Sequence, residues 1–165
     1  MLHISRFEAP DTEYATPDEV PEDILAVTRL LQAAAGHEGG GEVPGIHAVN
    51  SIVEDLGIRA SFAARYPGRS RIVGFALYEP FDVKRGAPPN TSWLSALAVD
   101  RNQRSQGIGM TMVNHLVDVA RADGVDAIRL RSRANERTIQ FYLRNGFVKE
   151  DEHLGHQMPI MRRDI

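Results

Sequence analysis

Trp93–Val99 is a nearly continuous apolar run that passes into the polar stretch VDRNQRSQGIGM, Val99–Met110, and then into an amphipathic segment ending near Ala122. An apolar run of this kind marks a strand buried on both faces. Beyond the loop, Met112, Val113, Leu116, Val117 and Ala120 recur at helical spacing on one side of Gly107–Ala122. A buried strand, a polar loop and a helix in this order place the chain among mixed α/β folds.

The remaining pattern agrees. Leu2–Phe7 reads as a short edge strand, and a polar stretch, Glu8–Glu19, follows it. Pro21-Glu22-Asp23 opens a helix, with proline early and acids facing the positive end of the helix dipole. Ile24, Leu25, Val27, Thr28, Leu31 and Ala34 continue it, and Gly36 is a natural stop. His37–Gly45, with Gly39-Gly40-Gly41, reads as a loop or a substrate flap, and a second helix is expected over Ala48–Leu56. Arg71–Tyr78 is a strand ended by Pro80, and Lys84–Asn90 is a turn. Ala127–Leu130 is a short strand, Glu136–Asn145 a helix capped by Gly146, and Phe147–Glu150 and Met158–Arg162 are closing strands.

With 165 residues the chain has the size of one domain, taken here as 1–165. Hydrophobic residues at 42% and charged residues at 25% suffice for a core without staples. The absence of cysteine removes disulfide scaffolds, thiolate metal sites and cysteine nucleophiles. Six histidines show no metal-ligand spacing, so no metal is expected. A net charge of −3 is no nucleic-acid footprint and does not favour an anionic membrane surface. No targeting signal is legible near Met1 and no stretch is long and apolar enough to span a bilayer, so a cytoplasmic location is expected.

The chemistry gathers at Val99–Met110. A helix N-terminus offers unpaired N–H groups, glycines allow close approach to the backbone, and Arg101 and Arg104 add charge. The expected ligand is a phosphate or diphosphate. A dinucleotide fingerprint would need a third glycine where Met112 stands, and a P-loop would need lysine and a hydroxyl directly after Gly109. Neither pattern fits.

Arg104-Ser105-Gln106-Gly107-Ile108-Gly109 instead matches the Q/R-x-x-G-x-G/A signature of the GNAT superfamily of acetyl-CoA-dependent N-acetyltransferases. Leu94–Val99 resembles the strand before that signature, and Asn135, Phe141-Tyr142 and Asn145-Gly146-Phe147 resemble a later family block. The close resemblance covers Trp93–Glu150; the N-terminal third matches only in element order. It implies an α/β fold with a central mixed, mostly antiparallel sheet splayed into a V and flanked by about four helices. It implies acetyl-CoA as the donor. Backbone groups of Leu97, Ala98 and Val99 would pair with the pantetheine arm, the N–H groups of Arg104, Ser105, Gln106, Gly107, Ile108, Gly109 and Met110 would hold the diphosphate, and Asn135 and Tyr142 would line the cofactor site.

By the same resemblance, a primary amine attacks the thioester directly in a ternary complex, the Val99 N–H stabilises the oxyanion, and Tyr142 protonates the departing thiolate. Many relatives carry a glutamate base at the position of Ser95. Serine cannot take that role, so Glu79, Asp82 or a water chain would replace it. The acceptor would be a small amine or a peptide, and relatives suggest a homodimer. A non-catalytic acyl-CoA-binding or regulatory module is the alternative. Structural roles compete for several of these residues: Asn135 as a helix cap, Tyr142 and Trp93 as core, Glu79 and Asp82 as solvated loop acids. Arg129, Arg131 and Arg133 form either a solvated face or a basic face near the cofactor phosphates.

Overall fold

The computed structural model describes residues 1–8, 12–35, 44–82, 87–150 and 158–165, with side chains at all of these except 17, 57 and 58. Within them lie strands β1 (His3–Arg6), β2 (Ala60–Arg65), β3 (Ile72–Glu79), β4 (Thr91–Val99), β5 (Ala127–Arg131), β6 (Val148–Lys149) and β7 (Ile160–Asp164). The helices are α1 (Glu22–Ala35), α2 (Ile46–Ile58), α3 (Ile108–Ala122) and α4 (Glu136–Arg144). The strands form a seven-stranded sheet in the order β1-β2-β3-β4-β5-β7-β6. The pairs β1/β2, β5/β7 and β6/β7 are antiparallel and β4/β5 is parallel, so the sheet is mixed, as expected. The expected edge strand near the N-terminus is β1, at one end of the order. The loop read at His37–Gly45 falls mostly outside the described residues, as do Gly36 and much of the turn at Lys84–Asn90.

The chain divides into two compact units, one made of Met1–Leu77 with Ala96–Met112, the other of Tyr78–Ser95 with Val113–Ile165. The first unit is built around Ile24 and Val27 of α1, Val49, Val53 and Leu56 of α2, and Ile72, Phe75 and Leu77 of β3. Each such side chain, fully buried, contributes about 1.5–3 kcal/mol relative to exposure. Phe7 meets Phe75 edge-on at 5.4 Å, and Asn50 takes both backbone groups of Tyr14, accepting at 3.0 Å and donating at 2.9 Å. Helix α1 starts as its sequence dictates, with Glu22 and Asp23 in the first turn. Helix α2 is two residues longer at each end than its apolar spacing suggests, beginning directly after Gly45.

In the second unit, Ile128 and Leu130 of β5, Met161 of β7 and Phe147 are fully buried. Helix α4 is held at both ends by local chemistry. Asn135 Oδ1 accepts from the Thr138 N–H at 2.9 Å, and at the other end Gly146, at φ 81°, reverses the chain. The Phe147 N–H then reaches back to the Tyr142 carbonyl and the Gly146 N–H to that of Leu143. This is a Schellman cap, and its customary apolar contact is the Tyr142–Phe147 ring pair at 5.4 Å.

Candidate active site

In the first unit, the chain leaves β4 at Val99 and is fastened before it enters α3. The Asp100 N–H donates to the Val73 carbonyl at 2.9 Å, and Asp100 Oδ1 accepts from the Asn102 N–H, capping a single 3-10 turn over Arg101–Gln103. Arg71 pairs with the other Asp100 oxygen. The Tyr66 hydroxyl donates to Gln106 Oε1 at 2.9 Å. Neither Tyr66 nor Arg71 carries a motif, so sequence reading misses both; only the Asp100-x-Asn102 spacing, an Asx-type cap, is a local signal.

Ser105 (φ 66°) and Gly107 (φ 79°) turn the chain into the helix. The first helical bond runs from the Thr111 N–H to the Gly107 carbonyl at 2.9 Å, so Gly107 stands at the cap position without a side chain to fill it. The first-turn N–H groups of Ile108, Gly109 and Met110 have no partner inside the helix. A Cβ on Gly107 would meet nothing within 4 Å, so glycine is required there by the left-handed backbone rather than by crowding. Arg104, Ser105, Gln106 and Gly107 are exposed and Ile108 is buried, so the segment offers its polar side outward while its apolar residue anchors it. Arg104 Nε donates to the Val99 carbonyl at 3.1 Å, which occupies one of the backbone groups expected to pair with a ligand.

Strand β4 changes character along its length. Thr91–Leu94 pair in parallel with Ala127–Leu130 and are buried, whereas Ser95, Ala96 and Leu97 beyond the last pair are half-buried; Ala98 is again buried and Val99 half-buried. The doubly buried run of the sequence reading therefore holds for the first part of the strand only.

The second unit holds the acid–base candidates. Ser95 Oγ donates to Glu79 Oε1, joining the end of β3 to β4. The carboxylate that Ser95 does not supply is thus brought to Ser95 by the neighbouring strand. Asp82 is placed differently: its side chain is sealed from solvent and pairs with Arg129 at 2.8 Å. An incoming amine would have to displace the Arg129 guanidinium to reach this carboxylate, so the geometry favours Glu79 over Asp82. Glu150 takes the other side of Arg129 at 2.8 Å, and the guanidinium lies 6.0 Å from the Trp93 ring centroid. Burial disfavours the charged guanidinium, but Glu150 and Asp82 more than offset it, so its pKa is raised. Arg129 is buried while Arg131 and Arg133 are exposed, so the three do not form a shared basic face. Trp93 is a core residue, 6% exposed.

Tyr142 is also buried, between the edges of Phe141 at 5.1 Å and Phe147 at 5.4 Å. Burial pushes its phenol up to about 12, so it stays protonated across the ordinary pH range. Asn135 is an N-cap and remains exposed, so capping leaves its amide NH2 available on the surface. Among the described residues, no three His, Asp or Glu side chains cluster as a metal site requires. No helix among them is long and apolar enough to cross a membrane.

The model of the acetyltransferase (GNAT) family matches residues 28–147. No curated protein matches the chain in sequence. Among solved structures, PH1933 from Pyrococcus horikoshii OT3 superposes with a TM-score of 0.74 at 18% identity, covering 100% of this chain and 99% of that one. The PaiA N-acetyltransferase of Thermoplasma acidophilum, in complex with coenzyme A, gives a TM-score of 0.69 at 16% identity, with 100% and 99% covered. A GNAT family acetyltransferase of Elizabethkingia anophelis with acetyl-CoA bound gives 0.63 at 18% identity, with 99% and 98% covered. These likenesses establish a shared fold.

Proposed function

Because the chain belongs to the acetyltransferase (GNAT) family, we propose that it is a cytoplasmic N-acetyltransferase that transfers the acetyl group of acetyl-CoA to a primary amine. The observation that carries this reading is the uncapped start of α3 at Gly107, which presents first-turn N–H groups directly after the family signature Arg104–Gly109. Those donors suit a diphosphate, and the positive end of the helix dipole favours its charge. The part of β4 beyond its last pair with β5, where Leu97 and Val99 are half-buried and Ala98 is buried, suits the family's backbone pairing with a pantetheine arm through Leu97, Ala98 and Val99. At Val99 the N–H is the better candidate, since its carbonyl already accepts from Arg104.

When bound, acetyl-CoA supplies an activated acyl carbon. In the proposed chemistry the Val99 N–H stabilises charge on the carbonyl oxygen. Glu79 takes a proton from the incoming ammonium, Tyr142 donates one to the departing sulfur, and the second proton that the nitrogen loses on becoming an amide restores the phenol. A phenol held near 12 looks too weak an acid for a thiol of ~8.5. The same dry surroundings, however, disfavour a thiolate as they disfavour a phenolate, which narrows the gap. Direct attack is further supported by the lack of any cysteine to carry the acetyl group.

The test is thiol release from acetyl-CoA with a panel of primary amines. The reading predicts acceptor-dependent release, and Tyr142→Phe lowers kcat by about 10²–10⁴-fold, the usual worth of a positioned acid, with acetyl-CoA affinity unchanged. No release with any amine favours the non-catalytic alternative. Full turnover in Tyr142→Phe removes the phenol from the acid role.

A further inference from the structure

We propose that the Ser95 hydroxyl is a positioning residue for the base of this enzyme: it holds the Glu79 carboxylate, from the adjacent strand, where the incoming amine is deprotonated. The inference rests on the reading of Glu79 as the base. Three observations carry it. Ser95 Oγ donates to Glu79 Oε1, a charge-assisted bond that ties the carboxylate to β4. Ser95 is also the first residue of β4 beyond its last pair with β5, where the strand passes from buried to half-buried, so the pair lies where β4 becomes accessible. Finally, three residues past Glu79 the chain is fixed again, by the Asp82 N–H on the Thr91 carbonyl at 2.7 Å and the Asp82 carboxylate on Arg129.

A glutamate at a strand end has three free torsions, and fixing them costs conformational entropy. The hydroxyl meets part of that cost before substrate arrives, on a strand end whose following chain is fixed at Asp82. The proton step balances simply: the ammonium R–NH3⁺ and the Glu79 carboxylate become R–NH2 and the carboxylic acid, which returns its proton to water after the nitrogen lone pair has attacked. Serine takes no proton in this step; it orients the group that does.

The test compares wild type, Ser95→Ala, Ser95→Thr and Glu79→Gln with the alkyl amine that turns over fastest in the acceptor panel, at pH 7 and pH 10. Alkyl amines, with pKa values near ~10.4, are cationic at pH 7 and substantially neutral at pH 10. At pH 7, Ser95→Ala should lower kcat/KM for the amine about tenfold and Glu79→Gln about 10²-fold or more. Both deficits should shrink toward wild type at pH 10, where the amine arrives deprotonated. Ser95→Thr, which keeps the hydroxyl, should restore activity, and KM for acetyl-CoA should not move. A Ser95→Ala deficit that is equal at both pH values, or absent while Glu79→Gln shows the pH-dependent loss, overturns the role of Ser95 and leaves Glu79 standing. Full activity of Glu79→Gln at pH 7 overturns the base assignment and this inference with it.

Discussion

At the scale of single residues, environment decides role more than residue type does. Three carboxylates illustrate this. Asp100 spends its oxygens on a turn and on Arg71. Asp82 is locked to a buried guanidinium. Glu79, at a half-buried strand end, accepts from the Ser95 hydroxyl and is the carboxylate proposed to exchange protons. Tyr142 gives a measurable consequence of burial. Its folded pKa, about 12, lies above the ordinary 10.0. Below pH 10 both folded and unfolded forms keep the proton; above it the unfolded chain releases the proton first. Stability therefore falls as pH rises through this window. Between pH 9 and pH 11 the stability of wild type relative to Tyr142→Phe should drop by about 1.4 kcal/mol, read from denaturant midpoints. A gap independent of pH would show that the phenol is not desolvated. The partners of Glu79 and Arg129 were invisible in sequence, because Ser95 is 16 residues from Glu79 and Asp82 is 47 from Arg129.

At the scale of elements, what is local was legible and what is pairwise was not. Helix α4 could be read almost entirely from its letters, since Asn135, Glu136 and Gly146 act within a turn of where they stand. The structure adds that Gly146 and Phe147 form the cap that seats Tyr142. Gly146→Ala should then cost about 1–2 kcal/mol, since a side chain at φ 81° is strained and its Cβ would lie 3.4 Å from Arg163 Nε. Thermal denaturation checks this, and an unchanged midpoint would mean the cap does not hold the helix end. Strand β2 went unread for the opposite reason. Ala60–Arg65 has no β-branched residue, and its strand character comes from partners such as His3 opposite Arg65, far away in sequence. The buried run at β4 was recognised as a strand, but its half-buried continuation after Leu94 depends on where β5 stops pairing, which no residue of β4 announces.

At the scale of the molecule, composition set limits that the fold then used. A chain with net charge −3 has no global field to draw in a polyanionic cofactor, so the donors proposed for it are local: helix-start N–H groups and the guanidinium groups of Arg101 and Arg104. One short signature, Arg104–Gly109, makes the proposed donor side legible, whereas the acceptor side has no comparable motif and stayed unread. The central claim, that the α3 start and the preceding strand serve acetyl-CoA, is tested most directly by calorimetric titration of the purified protein with acetyl-CoA up to millimolar concentration, beside a Gly107→Val variant. The account predicts saturable one-site binding by wild type and at least a tenfold weaker affinity in the variant, whose side chain cannot hold φ 79° without strain. Absence of heat and of any thermal shift in wild type, or undiminished affinity in Gly107→Val, would contradict it.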